Sequence, residues 1–187
     1  PVGISFGSTI PAGGQVTYVP NGTMTTSSFY SDAAVEGANS LEFLFAWDTT
    51  PESLNASADD RVVGTITITY DQPVYNPVIH VDRLGGNSQV PSGNYISNSS
   101  IWTLQTAGVS MAKISGNNQL IVNSKEFYRN PNQNLGPGTP IVVSGDSDAG
   151  PTGTAAGSIQ VYGMVTTLTF QVTGEGLDGN GSDRLEL

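Results

Sequence analysis

Cysteine is absent from this chain of 187 residues. A disulfide framework and a thiolate metal centre are therefore excluded, although an extracellular location is not. Lysine and arginine together number 6, against 16 aspartates and glutamates, leaving a formal net charge of −10. A surface so poor in cations argues against nucleic acid and against anionic membranes as partners. No apolar run is long enough to span a bilayer, and no stretch has the pattern of a signal peptide. His80 is the single histidine. A Ser–His–acid triad would have to use it, and the chain has neither a G-x-S-x-G elbow nor a cysteine nucleophile. A zinc hydrolase ordinarily wants more nitrogen ligands than one. A carboxylate pair for glycoside hydrolysis can be proposed in any chain so rich in acids, so that signal is empty. The sequence offers no convincing enzyme, and His80 reads as a strand residue hydrogen-bonded to its neighbours.

Thr, Ser, Val, Ile, Asn and Gly abound instead, and helix-favouring residues are scarce. No long stretch has a helical hydrophobic period, so the chain reads as all-β. Closely spaced strands with turns between them predict a two-sheet antiparallel β-sandwich, jelly-roll-like, with long polar loops. Residues 1–187 fit one domain. The chain opens at Pro1 and stops at Leu185-Glu186-Leu187 in what reads as an interrupted strand, so a domain of a longer protein is expected.

Strands are predicted at Val2 to Phe6 and Gln15 to Val19, around the turn Pro11-Ala12-Gly13-Gly14. Leu41 to Trp47 follows, with Leu41, Phe43, Phe45 and Trp47 on a core face. Thr50 to Asp60 reads as a loop. Arg61 to Tyr70 alternates Thr65, Thr67 and Thr69 against Ile66, Ile68 and Tyr70. The turn Asp71-Gln72-Pro73 then predicts a hairpin with the next strand. Asn87 to Ser100 reads as a polar excursion. Short strands are expected at Ile101 to Leu104, Val109 to Ile114, Gln119 to Val122, Glu126 to Tyr128 and Ile141 to Ser144, with turn signals such as Ser115-Gly116-Asn117-Asn118. Gly157 to Val161 and Val165 to Val172 read as a second hairpin, turned near Tyr162-Gly163.

Two stretches stand out for chemistry. In Asn76-Pro77-Val78-Ile79-His80-Val81-Asp82-Arg83-Leu84-Gly85-Gly86 a two-sided strand ends at a glycine pair, which gathers a carboxylate, a guanidinium and bare backbone. In Ser144-Gly145-Asp146-Ser147-Asp148-Ala149-Gly150-Pro151-Thr152-Gly153 two carboxylates share one side of an extended backbone. Calcium takes about six to eight oxygens and accepts carbonyls, so a Gly-rich Asp-x-Asp loop suits it. The loop is not an EF-hand, because its twelfth position is Gly157, and Asp and Gly also fill ordinary turns. Asp178-Gly179-Asn180-Gly181-Ser182-Asp183 is a second oxygen-rich loop, with Asp59-Asp60 and the Asp32/Glu36 pair as further candidates. Arg61 could instead relieve the repulsion between Asp59 and Asp60. The net charge either recruits divalent cations or simply keeps the protein soluble. The small residues Gly153-Thr154-Ala155-Ala156-Gly157-Ser158 would let a ligand backbone, or another strand, come close.

The Asn76 to Gly86 stretch, with Asn98-Ser99-Ser100-Ile101-Trp102-Thr103-Leu104 and the segment from Gly153 to Gly163, resembles the ligand-binding "peptide-binding" domain of giant calcium-dependent RTX adhesins of Gram-negative bacteria. The resemblance runs from about Leu41 to the end, and Asp82-Arg83-Leu84-Gly85-Gly86 is its most specific part. It implies a calcium-dependent β-sandwich, monomeric within a long extracellular adhesin on the bacterial surface and active in adhesion and biofilm. Such a domain binds short peptide C-termini on host or partner cells, with calcium holding the free carboxylate and no membrane insertion. Carried over, ligand binding falls to Asp82, Arg83, Gly85, Gly86, Asp148, Gly153, Thr154, Ala155 and Ala156, with pairing to a neighbouring acid as the rival use of Arg83. Calcium falls to Asp82, Gly85, Asp146 and Asp148, with Asp178 and Asp183 from the second oxygen-rich loop. Tyr128, Tyr162 or Trp102 would wall a pocket for an aromatic side chain, or serve the core. A calcium-dependent carbohydrate-binding module and a spacer rigidified by calcium are the rival readings.

Overall fold

The computed structural model describes residues 3–9, 14–23, 29–31, 39–48, 61–89, 95–130, 154–176 and 180–187. Within them every regular element is a strand and every pairing is antiparallel. In chain order the strands are β1 (Ile4–Thr9), β2 (Gly14–Thr23), β3 (Asn39–Asp48), β4 (Arg61–Tyr75), β5 (Val78–Leu84), β6 (Gly86–Gln89) and β7 (Tyr95–Leu104). They continue as β8 (Ser110–Gly116), β9 (Leu120–Val122), β10 (Glu126–Arg129), β11 (Ala155–Tyr162), β12 (Met164–Gly176) and β13 (Asn180–Glu186). One sheet runs β1-β4-β12-β7-β10-β9, with β6 also on β7; the other runs β2-β3-β13-β5-β11-β8. They pack face to face as a sandwich.

The period-two pattern accounts for the inner faces. Ile66 and Ile68 of β4, Leu168, Phe170 and Val172 of β12, and Trp102 and Leu104 of β7 are buried from the first sheet. Phe43 of β3, Ile79 and Val81 of β5, and Ile159 and Val161 of β11 meet them from the second. Trp102 is the hub. Its ring stacks on Phe127 at 5.4 Å and meets Phe170 and Phe43 edge-on at 5.9 and 6.0 Å. Its Nε1–H donates to Ser100 Oγ at 3.1 Å, so burial leaves the indole satisfied. Trp102 and Phe43 are therefore core residues, and Trp102 walls no pocket.

Neither expected hairpin exists. β4 and β5 lie in different sheets, as do β11 and β12, so each short turn carries the chain across the sandwich. The two crossings lie side by side: the Asn76 N–H donates to the Gly163 carbonyl at 2.9 Å, and the Gly163 N–H donates to Asn76 Oδ1 at 2.8 Å. Asn76, at φ 50°, takes a left-handed turn that asparagine tolerates. Alternation marks which face of a strand is buried, and two strands facing one core can do so from opposite sheets. Asp71-Gln72-Pro73 is likewise no turn. β4 runs on to Tyr75, and the three residues sit in an irregular, exposed stretch of its ladder with β12, between the pairs Thr69↔Thr167 and Val74↔Val165. Pro73 has no N–H to give that ladder.

β1 and β2 also fall in different sheets, and the supposed excursion after Gly86 contains β6 and the first half of β7. Asn180 to Asp183 form strand rather than loop, paired with β3 from Asp48 to Phe45. The expected Ile141 to Ser144 strand and the Thr50 to Asp60 loop lie outside the described residues. Replacing Trp102 by alanine removes the shared ring of this cluster and should cost about 3–5 kcal/mol in urea unfolding.

Candidate functional site

β5 carries its phase in Ile79 and Val81, which face the core, and then breaks it. Opposite it on β11, Ala155 pairs with Leu84 and Gly157 with Val81, so Ala156 alone faces the two residues Asp82 and Arg83. This is a β-bulge, which bends a strand and re-aims its side chains. Arg83 adopts φ 60°, unusual for a residue with a Cβ, and Gly85 follows at φ 84°. On the other edge of β5, Asp82 pairs with Glu186 of β13. After Gly85 the chain leaves this sheet, and Gly86 pairs with Asn98 of β7 in the first. Asp82 to Gly86 is therefore a corner where the chain passes between sheets.

Asp82 is fully buried at this corner, and its Oδ1 accepts the Arg83 N–H at 2.8 Å. Arg129, the last residue of β10, is also buried. A Cβ on Gly85 would run into its Cδ, so the guanidinium stem packs where only glycine leaves room. Thr154, Ala155 and Ala156 are buried beside the same corner. The structure thus brings together Asp82, Arg83, Gly85, Gly86, Thr154, Ala155 and Ala156. Asp183 lies on β13 three residues before the partner of Asp82, roughly 10 Å along the strand at about 3.3 Å per residue. Asp146, Asp148, Gly153 and Asp178 lie outside the described residues, as do Asp32, Glu36, Asp59 and Asp60. Tyr162 stands at the far end of β11, roughly 23 Å from Ala155 by the same rise, so it walls no pocket at this corner.

The small residues of β11 have one visible use in strand contact. A Cβ on Gly157 would strike the Ser115 carbonyl of β8, and one on Gly116 would lie 2.7 Å from the Ala156 carbonyl. The outer face of β11 carries a second cluster. Ser158 Oγ lies 2.9 Å from His80 Nδ1 and accepts the Ser31 N–H at 3.0 Å. Tyr30 meets the His80 ring edge-on at 6.0 Å. His80 is thus a strand residue bonded to its cross-strand neighbour. A nucleophile must reach its substrate, whereas Ser158 is 0% exposed.

Among the described residues no group of three or more His, Asp or Glu side chains stands close enough to hold a metal ion. Asp82 fits calcium as a single donor. Its carboxylate is the oxygen type that a hard cation takes, and its Oδ1 accepts the Arg83 N–H.

Sequence reasoning missed Asn117, Arg129 and Ser158. Asn117 stood inside a turn signal that said nothing of its side chain, and a buried arginine at a strand end has no local pattern. Lys113 of β8 reaches over the same turn: its Nζ donates to the Asn117 and Leu120 carbonyls at 2.6 and 3.0 Å, and burial lowers its pKa below the ordinary lysine value.

The corner's dependence on Gly85 can be separated from backbone strain alone. Gly108, at φ 76°, has open space where a Cβ would go. Gly108→Ala should therefore cost only the left-handed penalty of about 1–2 kcal/mol in urea unfolding. Gly85→Ala adds the collision with Arg129 and should cost about 2–4 kcal/mol. Equal losses would mean that Arg129 simply moves aside. Set against protein-family models, curated proteins and solved structures, the chain finds no match, so the reading of this corner rests on its own residues.

Proposed function

We propose that the chain is a calcium-dependent binding module of a bacterial cell-surface adhesin, and that it takes short peptides by their free C-terminal carboxylate. The observation that carries this reading is the convergence of two distant stretches, Asp82 to Gly86 and Thr154 to Ala156, around a carboxylate with no exposure. Asp82 would hold the ion, with the Gly85 carbonyl beside it. Asp146, Asp148, Asp178 and Asp183 are the further candidate donors. Calcium bound there would supply a positive centre able to accept one more carboxylate oxygen. Arg83, next along the bulge, carries a guanidinium suited to a second carboxylate contact. The net charge of −10 supports the reading too, since a divalent cation relieves the repulsion among crowded acids. The module binds rather than catalyses, and it works outside the cell, where a dissociation constant of roughly 10⁻⁴–10⁻³ M for calcium is serviceable.

Calorimetric titration of the 187-residue chain with calcium should show saturable binding. At a hundredfold excess over the dissociation constant, calcium should add about 2.7 kcal/mol of stability. Asp82→Asn should weaken calcium binding by about tenfold or more. Peptides with free C-termini should then bind in calcium and not in chelator, and their C-terminal amides should not bind. Stabilisation by calcium with no ligand from a broad peptide library would favour a spacer. Chelator-sensitive binding on a glycan array would favour sugar hydroxyls as the guest. Indifference of both stability and binding to calcium would end the proposal.

A further inference from the structure

We infer that Asn117 is a positioning residue for the corner, acting through Ala156 on the bulge that holds Asp82 and Arg83; as a statement about ligand binding this rests on the reading above. β8 ends at Gly116, opposite Gly157 of β11. Beyond that point no strand among the described residues pairs with β11 on its β8 side, and Asn117 takes over. Its N–H donates to the Ala156 carbonyl at 3.0 Å, and its Oδ1 accepts the Ala156 N–H at 3.4 Å. Its Nδ2 donates to the Thr154 carbonyl at 2.8 Å. Backbone and side chain of one residue thus carry the bonding past the end of β8.

The same Oδ1 accepts the Gln119 and Leu120 N–H groups, both at 3.1 Å, which ties the brace to its own turn. Asn117 is 7% exposed, so water is a poor substitute. The task needs an acceptor and a donor on one short planar group, which an amide supplies. Aspartate would set an acceptor against the Thr154 carbonyl, and alanine would remove the bonds that the side chain makes to the Thr154 carbonyl and the Ala156 N–H.

The reach to the functional corner follows from the register. Ala156 is braced by Asn117 on one edge, and on the other it is the single residue facing both Asp82 and Arg83. A left-handed Arg83 persists only where its surroundings over-determine it. Asn117 is the brace behind the residue against which that bulge is formed.

The test compares Asn117→Ala and Asn117→Asp with Asn123→Ala. Asn123 is exposed and caps the Lys125 and Glu126 N–H groups at 2.8 and 2.7 Å, the same kind of turn bond with no link to β11. Amide exchange is measured first in calcium-free protein. The Arg83 N–H, bonded to Asp82 Oδ1, should exchange about tenfold faster in both Asn117 variants and at the parent rate in Asn123→Ala, as local rather than global opening requires. Calcium titration should then show affinity about tenfold weaker in the Asn117 variants and unchanged in the control, although all three lose stability. Unchanged Arg83 exchange in a folded Asn117 variant overturns the inference, as does equal calcium affinity in parent and variants. A parent protein that binds no calcium sinks the functional reading instead, and the Arg83 exchange alone then decides the positioning role.

Discussion

The ladder between β5 and β11 ties the two sheets into one body. At one end both strands pass at once into the opposite sheet, β5 from β4 and β11 into β12, and the two crossings are bonded to each other through Asn76 and Gly163. At the other end β5 crosses again through Gly85 into β6. Three connections too short to wander therefore converge on a single strand pair. The inner faces of that pair, Ile79 and Val81 against Ile159 and Val161, lie in the core. Hydrophobic burial holds the sheets together without specifying register; these crossings fix it.

What happens at the corner is costly by comparison. A carboxylate and a guanidinium, Asp82 and Arg129, are buried near a strand end where Arg83 and Gly85, one residue apart, both take left-handed backbone. Buried charge needs hydrogen bonds or opposite charge to be tolerated. A left-handed residue with a Cβ costs about 1–2 kcal/mol more. The aromatic cluster around Trp102, built from both sheets, is where the fold gains enough to carry such a corner. Local irregularity is shared between this corner and the β4–β12 ladder, but only the corner combines it with a buried carboxylate and a buried guanidinium.

Much of this architecture was legible in residue order. The alternation of Ile66 and Ile68 with threonines gave β4, and Phe43 was placed in the core by its strand. Asp82 to Gly86 stands out as a turn, while the segment from Gly153 onward is linked to it only by the family resemblance. What alternation could not give was the partner of each strand. A period of two says which side faces inward and is silent on which of two sheets supplies the strand, so two crossings look like hairpins in the sequence. Asp183 is a related case: Asp, Gly, Asn and Ser suggest a loop, and pairing with β3 overrides that composition. Asn117 was invisible as more than a turn former, because its role depends on a strand some forty residues further along the chain.

One signal was present in the sequence and marks the corner more sharply than its glycines do. With an unbroken period of two, Ile79, Val81 and residue 83 would face the core, and Leu84 would face out beside His80. Instead the apolar positions run Ile79, Val81, Leu84, and all three are buried in the core. The spacing slips by one residue at Asp82-Arg83, and a strand absorbs such a slip by a bulge. The slip returns Leu84 to the interior after placing a carboxylate and a guanidinium together outside the alternation. Removing either polar residue, with the other left in place, would restore the phase and leave Leu84 buried without a bulge. One of the two polar residues is therefore dispensable to the hydrophobic pattern, and alternation alone gives no reason for keeping both at this corner.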